Sequence, residues 1–213
     1  MQDNKTLKYI QDVLENMPTD WLNLTTHRLD IFNEKLAKTQ FLEQFENLFQ
    51  NANSKAAALY ELPTAYDYIR LGHPLSCILE WTIGNLNNQK SENIISFSSK
   101  TIPILAILRK NLLENKNTQI VYTNQLPAFF DVEILKDVYG YNFELKKVEN
   151  AATISKYNGS TVFIAAQDEI SKFNLTPNID FLVNIQGDLG SILVINGKEN
   201  ETYISDIQHV RRR

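Results

Sequence analysis

The chain has 213 residues, of which 43% are hydrophobic, with 25 acidic against 21 basic side chains and a formal net charge of -4. This is enough apolar content for the core of one ordinary domain, or of one domain with a helical extension, and too much for general disorder. The acidic balance gives a nucleic-acid-binding reading a poor start, because such proteins carry a basic footprint. A single cysteine, Cys77, cannot close an intramolecular disulfide, and the residues after Met1 lack the apolar core of a signal peptide. Both features point to a reducing, cytoplasmic setting. Apolar runs such as Ile102 to Leu108 are far too short to span a bilayer, so direct membrane insertion is not expected. The terminal Arg211-Arg212-Arg213 reads as a solvated tail, with an acidic partner or phosphate surface as the alternative.

In chain order, Leu7, Ile10, Val13, Leu14 and Met17 recur at helical spacing, and Pro18 ends the run. Thr19 or Asp20 can cap the next segment. Leu29, Phe32 and Leu36 form a second stripe, and Phe41, Leu42, Phe45, Leu48 and Phe49 a third. No glycine precedes Gly72, which favours regular helix over loops. Residues 51–65 read as a connector with a short helical piece at Lys55 to Tyr60, broken by Pro63. Pro74 opens a helix to about Leu86, with Leu75, Ile78, Leu79 and Leu86 inward. A polar loop covers 85–93.

From there strands alternate with helices. Strands are predicted at Ile94 to Phe97, Thr118 to Tyr122, Asn142 to Val148, Thr161 to Ala166, Phe181 to Ile185 and Ser191 to Ile195. The helix predicted over Thr101 to Leu113 is apolar on most sides in its first half, so it should be buried. A further helix is predicted over Pro127 to Tyr139, with Phe130, Ile134, Leu135 and Val138 on one face and Gly140 in the left-handed position at its end. The alternation predicts an α/β fold with a mainly parallel sheet, flanking helices and right-handed crossovers. The organisation is a helical extension over 1–65 and an α/β core over 66–213, also readable as one continuous domain.

The segment from Tyr68 to Leu86, Tyr-Ile-Arg-Leu-Gly-His-Pro-Leu-Ser-Cys-Ile-Leu-Glu-Trp-Thr-Ile-Gly-Asn-Leu, resembles the active-site entry segment of the fold-type-I pyridoxal-phosphate (PLP) enzymes of cysteine and methionine metabolism. That group shows Tyr-x-Arg-x-Gly-Asn-Pro-Thr and then Leu-Glu inside a helix; here Tyr68, Arg70, Gly72, Pro74, Leu79 and Glu80 fall at the matching places. The later order of elements also resembles the family's large domain, shortened. The resemblance implies that Tyr68 and Arg70 match the pair that reaches a neighbouring subunit's phosphate. It implies that Ser98, Ser99 and Lys100 occupy the turn whose N–H groups hold the cofactor phosphate at a helix start. Lys100 stands where glycine is usual. Its Cβ hinders approach of an anion to the backbone, while its ammonium can bind one directly. An exposed lysine at a helix start is the plainer alternative.

The chain departs from the family at several places. Gly187, Asp188, Leu189 and Gly190 match the second half of its Gly-His-Ser-Asp-Val-Leu-Gly-Gly segment, but the Ser-x-Thr-Lys segment before it is absent. PLP chemistry requires a lysine amine to hold the aldehyde. There is too little chain between Gln167 and Asn178 for the helix and strand that carry the family's pyridinium aspartate, and the ring-stacking aromatic would fall near Pro127. A competing alignment lays Thr153-Ile-Ser-Lys156-Tyr157-Asn-Gly159-Ser160 on the lysine segment and makes Lys156 the Schiff-base lysine; Asn158-Gly159 is also an ordinary turn signal.

Other chemistry finds little support. His27, His73 and His209 lie at no metal-ligand spacing from one another, so no metal site is expected. His73 and Cys77 are one helical turn apart, as a Cys/His nucleophilic pair or as a helix boundary residue beside a core thiol. Glu80 is expected at the boundary of helix and core, and Asp188 as a turn residue. No phosphate-binding glycine loop is present. The expectation is a non-catalytic pseudoenzyme: a protein-binding or adaptor chain with no cofactor and no catalytic residue. Its partner would be a protein in a homo- or hetero-oligomer or larger cytoplasmic complex. Phe41, Phe45 and Phe49 are the candidate partner contacts, set against the core role that such phenylalanines usually have. The alternative is a small PLP-dependent lyase or transferase using Lys156 or Lys100.

Overall fold

A computed structural model describes residues 2–22, 34–63, 73–123, 125–127, 129–166, 170, 172–187 and 189–211, and no side chain of residues 2, 34–38 or 208–211. Tyr68, Arg70, Gly72, His27, Leu29, Phe32 and Asp188 lie outside the described residues, as do the side chains of Leu36 and His209. The chain divides into two compact units, Met1–Ser91 and Glu92–Arg211. The helix after Pro74 belongs to the first unit, because its Cys77, Ile78 and Trp81 lie in that unit's core.

The first unit is helical: α1 (Gln2–Asn16), α2 (Glu34–Gln50), α3 (Ala56–Tyr60) and α4 (Pro74–Leu86). Phe41, Phe45 and Phe49 follow at i, i+4 and i+8 on α2, so they share one face. All three are buried. Tyr9 of α1 meets Phe45 and Phe49 edge-on at 5.7 and 5.2 Å, and Trp81 of α4 meets the same two rings at 5.1 and 5.0 Å. Such geometry sets the positive edge of one ring against the negative face of another. The three phenylalanines thus build a core, and the expectation of partner contacts there is corrected: they present no surface to a partner. Polar bonds tie the helices at the margin, from Thr6 Oγ1 to Asn85 Oδ1 at 2.9 Å and from Trp81 Nε1 to Glu46 at 2.7 Å. Two further expectations shift. Leu7 and Leu14 are exposed because α1 turns Thr6, Tyr9 and Val13 inward; on α4, Leu79 is exposed while Glu80 is fully buried.

The second unit carries β1 (Ile94–Phe97), α5 (Ile102–Leu113), β2 (Thr118–Tyr122), β3 (Phe143–Lys147), β4 (Ser160–Ala166), β5 (Phe181–Gln186), β6 (Gly190–Ile195) and α6 (Tyr203–Arg211). The strands form one sheet in the order β1-β6-β5-β4-β2-β3. β3, β2, β4 and β5 run parallel, whereas β6 runs antiparallel to both of its neighbours, β5 and β1. The mainly parallel α/β sheet is as expected. Its antiparallel part comes from the β5–β6 link, in which Gln186 pairs with Gly190 across a three-residue turn. So short a link permits a hairpin and no crossover.

Alternate strand residues Ile95, Ile120, Val162, Ile164, Phe181, Val183, Leu193 and Ile195 form one core with Ile104 and Ile107 of α5 and with Tyr203 and Ile207 of α6. A buried relay ties three elements: Tyr203 donates its hydroxyl proton to Asn111 Oδ1 at 2.6 Å, and Asn111 Nδ2 donates to Thr118 Oγ1 at 2.8 Å. Lys110 of α5 bridges Glu114 at 3.1 Å and reaches Asp206 of α6. The expected helix over 127–139 is reduced to a wide π-turn at Ile134–Val138. It buries Phe130 and Leu135 and leaves Ile134 and Val138 exposed. Gly140 closes it at φ +70, the left-handed conformation expected there. Periodicity alone ends the chain on strands and misses α6, whose apolar face among the described side chains is Tyr203, Ile204 and Ile207. Among the described residues no helix is long and apolar enough to cross a membrane.

Candidate functional site

In a sheet of this kind the neighbour of β2 on one side is β3, and the chain then returns to place β4 on the other side. The crevice outside the carboxyl ends of the strands at such a reversal is where open α/β sheets hold ligands. A cavity of about 350 Å³ lies there. Its floor is Ile164, Ala165 and Ala166 at the end of β4 and Ile185 near the end of β5. Thr123 and Gln125, just past β2, give it a hydroxyl and an amide, while Pro127 and Phe129 close one wall. Lys100, from the turn between β1 and α5, supplies its cation.

The turn bearing Lys100 is fixed by its own polar groups. Ser99 Oγ accepts the N–H groups of Thr101 and Ile102, both at 3.2 Å, where the turn enters α5. Pro103 carries no N–H. Of the first donors of the helix, which could face an anion, that of Ile102 is thereby engaged and that of residue 103 is missing. Ser99 O in turn accepts the hydroxyl of Ser191 at 2.6 Å. Gly190 allows that contact, because a Cβ there would stand 2.0 Å from the Phe97 carbonyl oxygen at a φ of +127. The match of Gly187 to Gly190 to the family segment therefore coincides with a hairpin turn and a close strand approach.

The other sequence candidates are dispersed. Ser98 and Lys156 are exposed, and Lys156 is not among the residues lining the cavity. Asp180 immediately precedes β5 and accepts the Thr161 N–H at 2.7 Å and Asn200 Nδ2 at 2.9 Å, so it staples β4 to β5. The link from β4 to β5 carries no helix among its described residues. His73 caps α4, its Nδ1 accepting the Leu75 N–H at 3.2 Å, which turns that nitrogen away from nucleophile activation. Cys77 is a buried thiol in the same helix.

Among the described residues no cluster of histidine, cysteine, aspartate or glutamate could hold a metal ion. The described cavity lining offers one ammonium, one hydroxyl and one amide over apolar walls, a set that can bind a small anionic or polar molecule but holds no carboxylate–imidazole or carboxylate pair. Sequence reasoning misses Thr123, Gln125 and Phe129. The available signal is their place directly after a parallel strand.

No protein-family model matches the chain, and no curated protein matches it. Solved structures do. That of metB from Corynebacterium glutamicum matches at 17% identity and a TM-score of 0.42, over 70% of this chain and 49% of that one. A putative O-acetylhomoserine (thiol)-lyase (metY) from Campylobacter jejuni, solved with N'-pyridoxyl-lysine-5'-monophosphate, matches at 15% identity and a TM-score of 0.31, over 71% and 47%. The chain spans about half the length of each.

Proposed function

We propose that this chain is a non-catalytic, partner-binding protein built on a shortened PLP-transferase-like α/β scaffold, with no PLP bound as a Schiff base. The observation that carries the reading is the β5–β6 hairpin, where the chain turns from Gln186 to Gly190 with no lysine at the end of β5. Three further features support it. The α5 start spends the N–H groups of Thr101 and Ile102 on Ser99, so these two donors are not open to a phosphate. Asp180, the acid at the head of β5, serves backbone and amide bonds. Pro127 lies where the resemblance would need a stacking aromatic. These residues do not fit PLP.

The cytoplasmic setting and an oligomeric or complexed state belong to the same proposal. Pull-down from the native cell followed by size-exclusion chromatography tests the partner-binding half. A captured protein or a self-assembled species is the expected result, and a lone monomer that captures nothing would remove it. The second reading, a small PLP enzyme, is favoured by one observation only: Lys100 lines the cavity. Lys156, exposed and outside the lining, has no such support.

A further inference from the structure

β3 is the last strand of the sheet, and among the described residues nothing pairs with its outer edge. Its sequence is Phe-Glu-Leu-Lys-Lys, and only Phe143 is buried. An open edge exposes a row of backbone N–H and C=O groups, a template for another strand. The register shows which groups these are. The Val148 N–H donates to Tyr122 O on β2 at 2.9 Å, and Tyr122 pairs with Lys147. Residues 144, 146 and 148 therefore turn their backbone groups toward β2. Residues 143, 145 and 147 turn theirs outward, because backbone direction alternates along a strand.

We propose that this edge pairs with the same edge of a second copy, antiparallel and about a two-fold axis through Leu145. A second copy is thus the partner in the partner-binding reading above, on which this proposal rests. The backbone phase suits this register. Leu145 meets its own copy as a hydrogen-bonded pair, and Phe143 meets Lys147 of the other copy likewise, giving about six N–H···O bonds across the axis. The charges suit it as well. Glu144 falls opposite Lys146 of the second copy, and Lys146 opposite Glu144, both as close non-hydrogen-bonded pairs with side chains about 5 Å apart at Cβ. A strand in which residues at equal distance on either side of the centre carry opposite charge is complementary to itself, as an interface on a two-fold axis must be.

Lysines ordinarily guard an edge strand against pairing. In this register Lys146 finds a carboxylate instead. A parallel, in-register pairing would set Lys146 and Lys147 against themselves, so the charges select the antiparallel arrangement. Exposed apolar side chains, Val138 and Tyr139, come shortly before the strand in the chain; Tyr139 stacks on Tyr141 at 5.9 Å, and Lys136 lies over the Phe143 ring, 5.0 Å from its centroid. Leu145, at 36% exposure, supplies the central apolar contact.

The test is a charge exchange read by size-exclusion chromatography with light scattering on the full chain. The wild type should run as a dimer. Glu144→Lys places lysine against lysine in both pairs, and Lys146→Glu places glutamate against glutamate; each should weaken the dimer by about tenfold or more. An equimolar mixture of the two variants restores opposite charges in both pairs and should recover the dimer, which also shows that both variants fold. A monomeric wild type overturns the proposal. So does a dimer unaffected by either single substitution, although that result leaves the partner-binding reading standing on another surface. Failure of that reading as a whole would appear as a monomer that also captures nothing from the native cell, or as cofactor binding in a PLP titration, which neither substitution touches.

Discussion

Replacing Gly190 with alanine tests the close approach that locks the lysine-bearing turn to the sheet. At φ +127 an alanine is strained, which costs about 1–3 kcal/mol. Its Cβ would also stand 2.0 Å from the Phe97 carbonyl oxygen, so β1 and β6 must separate, at a further cost of about 1–3 kcal/mol. With both costs near the middle of their ranges, the loss is about 4 kcal/mol. Gly140 is the control: its φ is +70, and nothing lies within 4 Å of a Cβ there. Gly140→Ala should carry only the conformational cost, about 1–2 kcal/mol. Trp21 and Trp81 both lie in the helical unit, so the sheet is followed by far-ultraviolet circular dichroism in urea. With a slope of about 1–3 kcal/mol per molar urea, Gly190→Ala should unfold about 0.7–3 M below Gly140→Ala. Equal midpoints for the two variants would refute the close β1–β6 contact and the fixed turn derived from it.

Two further outcomes concern the cores. Phe45→Ala should destabilise the helical unit by about 3–5 kcal/mol, read by tryptophan fluorescence because Trp81 packs against that ring; a loss below about 1 kcal/mol would return Phe45 to the surface. Burial, and then Glu114, raise the Tyr203 hydroxyl above its ordinary value of 10.0, so the folded state holds that proton more tightly than the unfolded one. Its contribution is complete below that value and is lost as pH rises above it. Tyr203→Phe should cost about 1–3 kcal/mol at neutral pH, by leaving Asn111 Oδ1 without its donor, and should lessen the alkaline loss. An unchanged stability–pH profile above that value would contradict the buried relay.

Strand positions were legible because β-branched and aromatic residues cluster in short runs, as in Thr118 to Tyr122 and Ser191 to Ile195. Strand direction was not legible. The antiparallel course of β6 depends on a turn of three residues, and periodicity carries no direction. On α1 the leucines Leu7 and Leu14 suggested the wrong face, because Thr6 and Tyr9 go inward to partners far along the chain, Asn85 and Asn53. Such pairings have no local signal. The stretch over 127–139 has the apolar content of a helix, yet among its described residues helical structure begins only at Val132 and runs into the wide turn, with Val138 at 74% exposure. Of the candidate site, Lys100 was found because the resemblance lays it on the family's phosphate-holding turn. Thr123, Gln125 and Phe129 became visible only once the strand order located the reversal between β2 and β4.

The most direct measurement is the visible absorption spectrum of the purified chain during a PLP titration, with a thermal melt at each point. The proposal predicts no Schiff-base band and no rise in melting temperature with excess PLP. A saturable band that disappears in Lys100→Ala would contradict it and establish the cavity as a cofactor site.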